Sequence, residues 1–440
     1  MGVSWELAIV AGSVLAVAAV SRRLTDTPVT PAMAFVLIGV LTGPLVFNDV
    51  TAAPTSASVR TAAEATLAVV LFADASRIKL NALRREYAVP LRLLGIGLPL
   101  TIVLGAVLAG VIFTQLSAAE AAVLAIVLAP TDAALGQAVV TEPRLPSRIR
   151  QGLNVESGLN DGICVPLLLI ALAVADVEDK AVSGSHAVTI VAEEIGYGIL
   201  GGAAAGLAAA AVVAISYRRN LVTGSWLQVI PIAGAGLAYG VAVALGGSGF
   251  IAAFLAGAIF GTLVSRESEE ASRLNEELGG LLGGVTFLLF GAVLLGPALK
   301  HVSWQIAVYA VLSLTVVRML PVAIAMIGSG ARSQTVGFLG WFGPRGLASI
   351  VFAVLSVQEA HLPGANTILL TAYLTIGVSV FAHGITAAPL ARRYARWYGS
   401  HPEHRRPVME SVPASHHRAR GASAIGQGGS VAAGSARSDS

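Results

Sequence analysis

The sequence predicts an all-α polytopic membrane protein of 13 transmembrane helices, arranged as two inverted six-helix repeats with broken helices at spans 5 and 12. Three observations lead there: a composition poor in charge, long apolar segments that recur along the chain, and two segments interrupted by proline beside an ionisable residue. Of 440 residues, 55% are apolar and 12% charged, and the mean hydropathy is +0.77. A soluble domain carries about 25% charged residues, so this chain has roughly half the charge needed to cover a water-facing surface. That excludes an ordinary soluble enzyme, a disordered protein and a nucleic-acid binder. The pI near 9.2 comes from arginines in short loops and requires no nucleic-acid partner. The single cysteine, Cys164, excludes a disulfide framework and any cysteine-based metal site. Nothing in the composition asks for a cofactor.

A span needs about 20 predominantly apolar residues. Such segments lie near 5–21, 30–47, 59–75, 88–113, 118–140, 149–175, 187–215, 226–245, 248–264, 278–296, 303–327, 334–357 and 366–389. The first has no positive flank ahead of it, and Arg22 and Arg23 follow it. It reads as a span, not as a cleavable signal peptide. Loop charge tests the alternation. Arg22, Arg23, Arg77, Lys79, Arg84, Arg85, Arg144, Arg148, Arg150, Arg218, Arg219, Arg266, Arg273 and Arg332 all fall in one set of alternate loops. The opposite loops hold only Lys180 and Lys300. The positive-inside rule then places the N-terminus outside and the C-terminus in the cytoplasm of a multi-pass plasma-membrane protein. An odd number of spans agrees. Residues 1–398 form the transmembrane domain on this reading. Residues 399–440 are rich in Ser, Gly, Ala, His and Arg without an apolar period, which predicts a disordered cytoplasmic tail. His401, His404, His416 and His417 read there as solvated residues, with pH sensing or metal binding as the alternative.

Span 5 contains Leu128-Ala129-Pro130-Thr131-Asp132-Ala133, and span 12 contains Phe342-Gly343-Pro344-Arg345-Gly346. Proline removes a backbone donor and clashes with the preceding turn. The freed backbone groups cannot face lipid, so both places must be buried or line a polar cavity. Pro99, Pro166, Pro231 and Pro321 also lie within spans and read as simple kinks. Pro130 and Pro344 differ by the ionisable residue one or two positions on. If spans 1–6 and 8–13 are repeats, span 5 maps onto span 12, and a linking seventh span makes the second repeat run inverted. Paired interrupted spans of this kind point to the midplane site of a secondary transporter.

A charge at the bilayer centre costs about 2.5–3.5 kcal/mol on insertion scales, so it is a functional candidate. The central ones are Asp132, Glu156, Asp161, Arg318 and Arg345. Glu64, Asp74, Arg92, Glu193 and Glu194 lie nearer span ends and read as interfacial or ion-paired groups. In span 6, Asn154, Ser157 and Asp161 share one helix face, and Glu156 and Asn160 share a second. The first could ligate a cation with hard oxygens; the second could pair with an arginine. Glu156 reads as the partner of Arg318 or Arg345, because a lone buried arginine is costly without an acid. Two arginines cannot neutralise three central acids, so at least one acid is left over, and Asp161 stands beside the ligand-like face. Gly198, Gly202 and Gly206 in span 7 form overlapping GxxxG and read as close helix packing.

Pro130-Thr131-Asp132, followed by Glu156-Ser157 and Asn160-Asp161, resembles the monovalent cation–proton antiporters of the NhaP and sodium/proton-exchanger type. Arg318 ahead of Pro321 and the run Gly343-Pro344-Arg345-Gly346 add to the likeness, which covers about residues 5–390. The resemblance implies that Asp161 binds either H⁺ or the cation, Na⁺ or K⁺. Ser157, the Thr131 carbonyl and Asp132 would complete the site, with Asn160 beside it. Glu156 would pair with Arg318, and Arg345 would be structural or offset helix-end dipoles. Asn160 in place of a second aspartate is the pattern of electroneutral members. Many members carry Asp-Pro at the first crossing, where this chain has Asp132-Ala133 and places Pro130 ahead. The family fold has crossing broken helices, a dimerisation part (spans 1–3 and 8–10), a mobile core (spans 4–6 and 11–13) and a linking span 7. Its members form homodimers in membrane lipid.

The mechanism expected is alternating access, with proton and cation competing for the same oxygens. One alternative is a sodium-coupled symporter of an organic anion, in which Arg318 and Arg345 bind the solute. Another is an intramembrane aspartyl protease with Asp132 and Asp161 as its dyad. The chain lacks HExxH and GxSxG motifs, so hydrolytic enzymes of those types are not expected.

Overall fold

In lipid every backbone amide needs an internal partner, and a helix supplies it without help from other segments. The computed structural model describes residues 3–25, 27–46, 57–77, 88–136, 139, 142–179, 184–264, 273–360, 362–401 and 408–411. Among them every regular element is a helix. In chain order these are α1 (Val3–Thr25), α2 (Pro31–Val46), α3 (Ala57–Ser76), α4 (Ala88–Ile112), α5 (Ala118–Val127), α6 (Ser147–Glu178) and α7 (Gly184–Arg218). There follow α8 (Val229–Ala244), α9 (Gly249–Leu263), α10 (Arg273–Leu289), α11 (Trp304–Ala325), α12 (Ser333–Trp341), α13 (Leu347–Glu359), α14 (Ala365–Gly399) and α15 (Val408–Ser411). Among the described residues, 7 helices are long and apolar enough to cross a membrane. They include α4, α6, α7, α11 and α14. Shorter apolar helices, among them α5, α8 and α9, stand between them.

The helices pack as two groups. In one, α7, α8, α9 and α3 lie together, and α2 lies against α10 and the π-helical stretch Phe290–Leu295 that continues it. Small residues set the spacing there. A Cβ added at Gly202 would come within 2.6 Å of the Ala252 carbonyl, and one at Gly206 within 2.8 Å of Ala256. The overlapping GxxxG of α7 is therefore a packing face against α9. The second group contains α4, α5, α6 and α11–α14. Between the groups, α6 touches α3, α7 and α9, and α13 touches α3 and α10.

Residues 408–411 depart from the disorder expected of the tail. α15 is a helical turn, and its Met409 and Glu410 are buried. Met409 joins an apolar cluster with Leu145, Ile149, Phe338 and Tyr394. Glu410 Oε1 accepts from the Arg332 amide at 3.0 Å and from Thr335 Oγ1 at 2.5 Å. It thus satisfies open donors at the N-terminus of α12, where the helix dipole favours a carboxylate. Residues 402–407 and 412–440 of the predicted tail lie outside the described residues, with His404, His416 and His417. So do Lys79, Arg84, Arg85, Lys180 and Arg266 of the loops.

Candidate functional site

Span 5 stops being helical in its middle. α5 begins with a capping box made by Ser117 and Glu120 and ends at Val127, and the chain then runs non-helical to Asp132. α12 ends at Trp341, and helix resumes only at Leu347, after Phe342-Gly343-Pro344-Arg345-Gly346. Each break frees amides and carbonyls that need partners in a dry interior. The two breaks supply one another. The Asp132 amide donates to the Pro344 carbonyl at 2.7 Å. The Leu347 amide donates to Asp132 Oδ2 at 3.3 Å, and the Ala134 amide to Asp132 Oδ1 at 2.9 Å. Asp132 is thereby held at the start of α13, where the helix dipole favours its charge. Gly346 is required at this contact, because a Cβ there would run into the Asp132 carboxylate.

α6 forms the adjoining wall. Ser157 Oγ donates to the Thr131 carbonyl at 2.8 Å and accepts from the Ala133 amide at 2.8 Å. Asn160 Nδ2 donates to Thr131 Oγ1 at 2.7 Å. Asn160 Oδ1 is buried with no hydrogen-bond partner among the described residues. A hydroxyl and a carbonyl each carry two lone pairs, so Ser157 Oγ and the Thr131 carbonyl retain one each for a further ligand. Thr131, Asp132, Ser157, Asn160 and Asp161 are all buried, the most exposed being Ser157 at 6%. A cavity of about 20 Å³ lined by Thr131, Ser157 and Pro344 adjoins them. A larger cavity of about 190 Å³ reaches Asp132 from between α2, α3 and α10, and Asp74 and Arg77 line it.

The other central charges are differently placed. Arg318 forks onto Glu156, Nη1 to Oε1 at 2.6 Å and Nη2 to Oε2 at 2.9 Å, with both residues at most 3% exposed. Arg318 sits on the short helix after Thr315, where α11 is broken. Arg345, the alternative partner for Glu156, binds backbone instead. Its Nη1 donates to the Ala129 carbonyl at 3.1 Å and lies 3.5 Å from that of Pro130, and the residue is fully buried. Those carbonyls belong to the frayed C-terminal end of α5, where a cation offsets the dipole.

Near the span ends, Arg92 caps the end of α11 through the Ala325 carbonyl at 2.9 Å and that of Ile327 at 2.7 Å. Asp74 pairs with Arg77 at 3.1 Å, and Glu64 accepts from the Tyr239 hydroxyl at 2.6 Å.

The model of the transmembrane sodium/hydrogen exchanger family matches residues 10–393. The chain belongs to the sodium/hydrogen exchanger family. Among curated relatives, this exchanger-family chain is 24% identical over 327 residues to the K(+)/H(+) antiporter NhaP2 of Shewanella sp. (strain MR-4), covering 74% of this chain and 56% of that protein. It is 26% identical over 272 residues to the K(+)/H(+) antiporter NhaP of Alkalimonas amylolytica, covering 61% of this chain and 46% of that one. The chain therefore spans about half the length of the curated relatives it matches. The solved sodium proton antiporter MjNhaP1 of Methanocaldococcus jannaschii superposes with a TM-score of 0.73 at 20% identity. That match covers 89% of this chain and 98% of that structure, and it shows a shared fold.

Two buried polar residues of α14, Ser379 and His383, were not singled out from the sequence although they reach the second break. Ser379 Oγ accepts from the Arg345 amide at 2.7 Å. The signal was present: a serine and a histidine one turn apart share a face of a largely apolar span, in line with Thr371 and Thr375.

Proposed function

We propose that this family member is a secondary antiporter that exchanges a monovalent cation, Na⁺ or K⁺, for H⁺ across the plasma membrane by alternating access. One observation carries the reading: two broken helices meet at Asp132, against α6, whose Ser157 and Asn160 bond the first break and whose next residue, Asp161, is buried. Such a place offers hard oxygens from carboxylate, hydroxyl, amide and main chain, the donor set that suits a hard monovalent cation. Asp161 is the carboxylate that takes H⁺ or the cation, and Asp132, Ser157, Thr131 and Asn160 complete its surroundings.

Charge counting supports exchange of one for one. Among the charges central in the spans, the buried acids Asp132, Glu156 and Asp161 outnumber the buried bases Arg318 and Arg345 by one, which leaves one negative charge in excess. One proton or one monovalent cation cancels it. An uncompensated charge is costly in a low-dielectric interior, so the loaded core moves and the empty one does not. Arg318 is engaged by Glu156 at both terminal nitrogens, and Arg345 lies beneath the end of α5. That disfavours the symporter reading, in which both would bind a solute.

The 13 spans, the inverted repeats and the division into a dimerisation part, a core and a linking span belong to the same proposal, as do the homodimer and an external N-terminus. The packing of α1–α3 with α7–α10 as one group and of α4–α6 with α11–α14 as another, joined through α6 and α13, supports it. The cavity lined by Arg77 lies toward the arginine-rich loops, which fits a site accessible from the cytoplasm. The deciding experiment is proton movement in sealed proteoliposomes on addition of each alkali cation across a pH series. Asp161→Ala is expected to reduce it to the protein-free background. Near-normal exchange by that variant would refute the assignment. With the membrane potential clamped, the wild-type rate is expected to stay the same.

A further inference from the structure

The second break keeps one amide bond to the helix before it, Phe342 to Phe338, and one to the helix after it, Ile350 to Gly346, and α14 adds a link to each end through His383 and Ser379. At the near end, His383 Nε2 lies 2.9 Å from the Trp341 carbonyl, the last of α12. At the far end, the Arg345 amide donates to Ser379 Oγ at 2.7 Å, and Ser379 Oγ lies 3.1 Å from His383 Nδ1. His383 is fully buried. Its ring lies against that of Trp341, with centroids 5.0 Å apart, and Trp341 Nε1 donates to Thr386 Oγ1 at 2.9 Å.

The chemistry assigns the hydrogens. Carbonyls only accept, and one lies by each ring nitrogen, Trp341 by Nε2 and Ser379 by Nδ1; only Nδ1 also has a hydroxyl that can donate to it, so placing the hydrogen on Nε2 is the neutral choice that gives both nitrogens a partner. A neutral imidazole then has a lone pair on Nδ1, which accepts from the Ser379 hydroxyl. That hydroxyl oxygen in turn accepts the Arg345 amide. An imidazolium would turn Nδ1 into a donor toward the Ser379 carbonyl 3.0 Å away and leave the Ser379 hydroxyl without its acceptor. It would also add a positive charge to a region already holding Arg345 and Arg318.

We infer that His383, as its neutral Nε2–H tautomer, is a positioning residue for the ion site, clamping Trp341 and, through Ser379, Arg345 across the second break. The consequence reaches Asp132 by two short steps. Pro344, beside Arg345, accepts the Asp132 amide, and Gly346 packs on the Asp132 carboxylate. His383 touches none of the expected ligands and acts only through the backbone that carries them. The inference rests on the exchanger reading for its functional consequence, but not for the tautomer.

Two measurements on the full-length chain in lipid test it. Solid-state NMR of histidine-labelled protein, with the His383 signal assigned by its loss in His383→Gln, is expected to show the neutral Nε2–H tautomer. An Nδ1–H tautomer or an imidazolium at neutral pH would overturn the clamp. In proteoliposomes, His383→Leu removes both bonds and is expected to raise the apparent KM for the cation by about tenfold, the factor for one buried hydrogen bond left unmade. His383→Gln keeps an N–H for Trp341 and is expected to stay within about threefold of wild type. Ser379→Ala breaks only the far link and should fall between them, which covers the case in which His383→Leu does not fold. Equal kinetics for all three variants and wild type would refute the positioning role. Wild-type vesicles that exchange nothing would sink the exchanger reading alone, because the tautomer still decides the clamp.

Discussion

The two broken stretches look alike in sequence and differ in what they present. The first, at 128–133, carries an acid and offers Thr131 oxygens toward Ser157 and Asn160. The second, at 342–346, carries a base and turns its polar groups to the scaffold: Pro344 to the Asp132 amide, Arg345 to the end of α5. The chain resumes helix at once after the second break, at Leu347, whereas after the first it passes through turns at residues 133–136. On the proposed function, the first break is the site and the second its support. The difference teaches that a proline-interrupted span is not by itself a ligand donor. The neighbours of its freed backbone decide.

The largest test separates support from site by stability. Arg318 packs beside the second break and is the partner of Glu156. Arg318→Leu leaves a buried carboxylate unpaired, and we expect a loss of about 3–5 kcal/mol in thermal or chemical unfolding of the purified protein. Glu156→Gln added to Arg318→Leu should recover part of it. Asp161→Ala, by contrast, should abolish exchange with little change in melting temperature. If both variants lost stability equally, site and support would not be distinct.

A finer test uses the two glycines of the second break. A Cβ at Gly343 would press on the Arg318 guanidinium, and one at Gly346 on the Asp132 carboxylate. Overpacking costs about 1–3 kcal/mol in either place, but the readouts should part. Gly343→Ala is expected to lower the melting temperature and spare the apparent KM. Gly346→Ala is expected to raise the KM for the cation. The reverse pattern would exchange the roles given to the two contacts.

The smallest effect is expected in the loop after the first break. Arg144 donates to Glu142 at 2.7 Å and 2.9 Å. These side-chain hydrogen bonds hold the Glu142 carboxyl below its ordinary value of 4.5. A carboxyl lowered by folding adds stability above that value and loses it as pH falls through the folded one. Arg144→Gln should therefore lower the melting temperature slightly at neutral pH, less so in high salt. The difference should vanish in acid, and exchange should be untouched. A changed exchange rate would extend the site into this loop.

Much of this was legible in the chain. Hydropathy marks where the helices lie, because lipid tolerates little else. Pro130 and Pro344 mark the breaks, because proline cannot complete a ladder. Glu156 needed a base, and Arg318 and Arg345 were the two on offer. The choice between them was not readable, since it depends on which helix face α11 turns toward α6. Arg345 binding carbonyls of α5 depends likewise on how two breaks cross. His383 carries no obligatory charge, so a charge inside the membrane did not mark it. The docked turn at Val408–Ser411 was masked by the composition of the tail around it.

By itself, the sequence determined that the chain is helical, membrane-sized and interrupted twice by proline next to charge. These are local properties, set by side-chain transfer energies and backbone sterics over a few turns. Only the tertiary structure decided which acid meets which base, which break faces the oxygens of α6, and which buried imidazole ties the other in place. Those choices depend on distances of about 3 Å between residues far apart along the chain, and no local pattern encodes them.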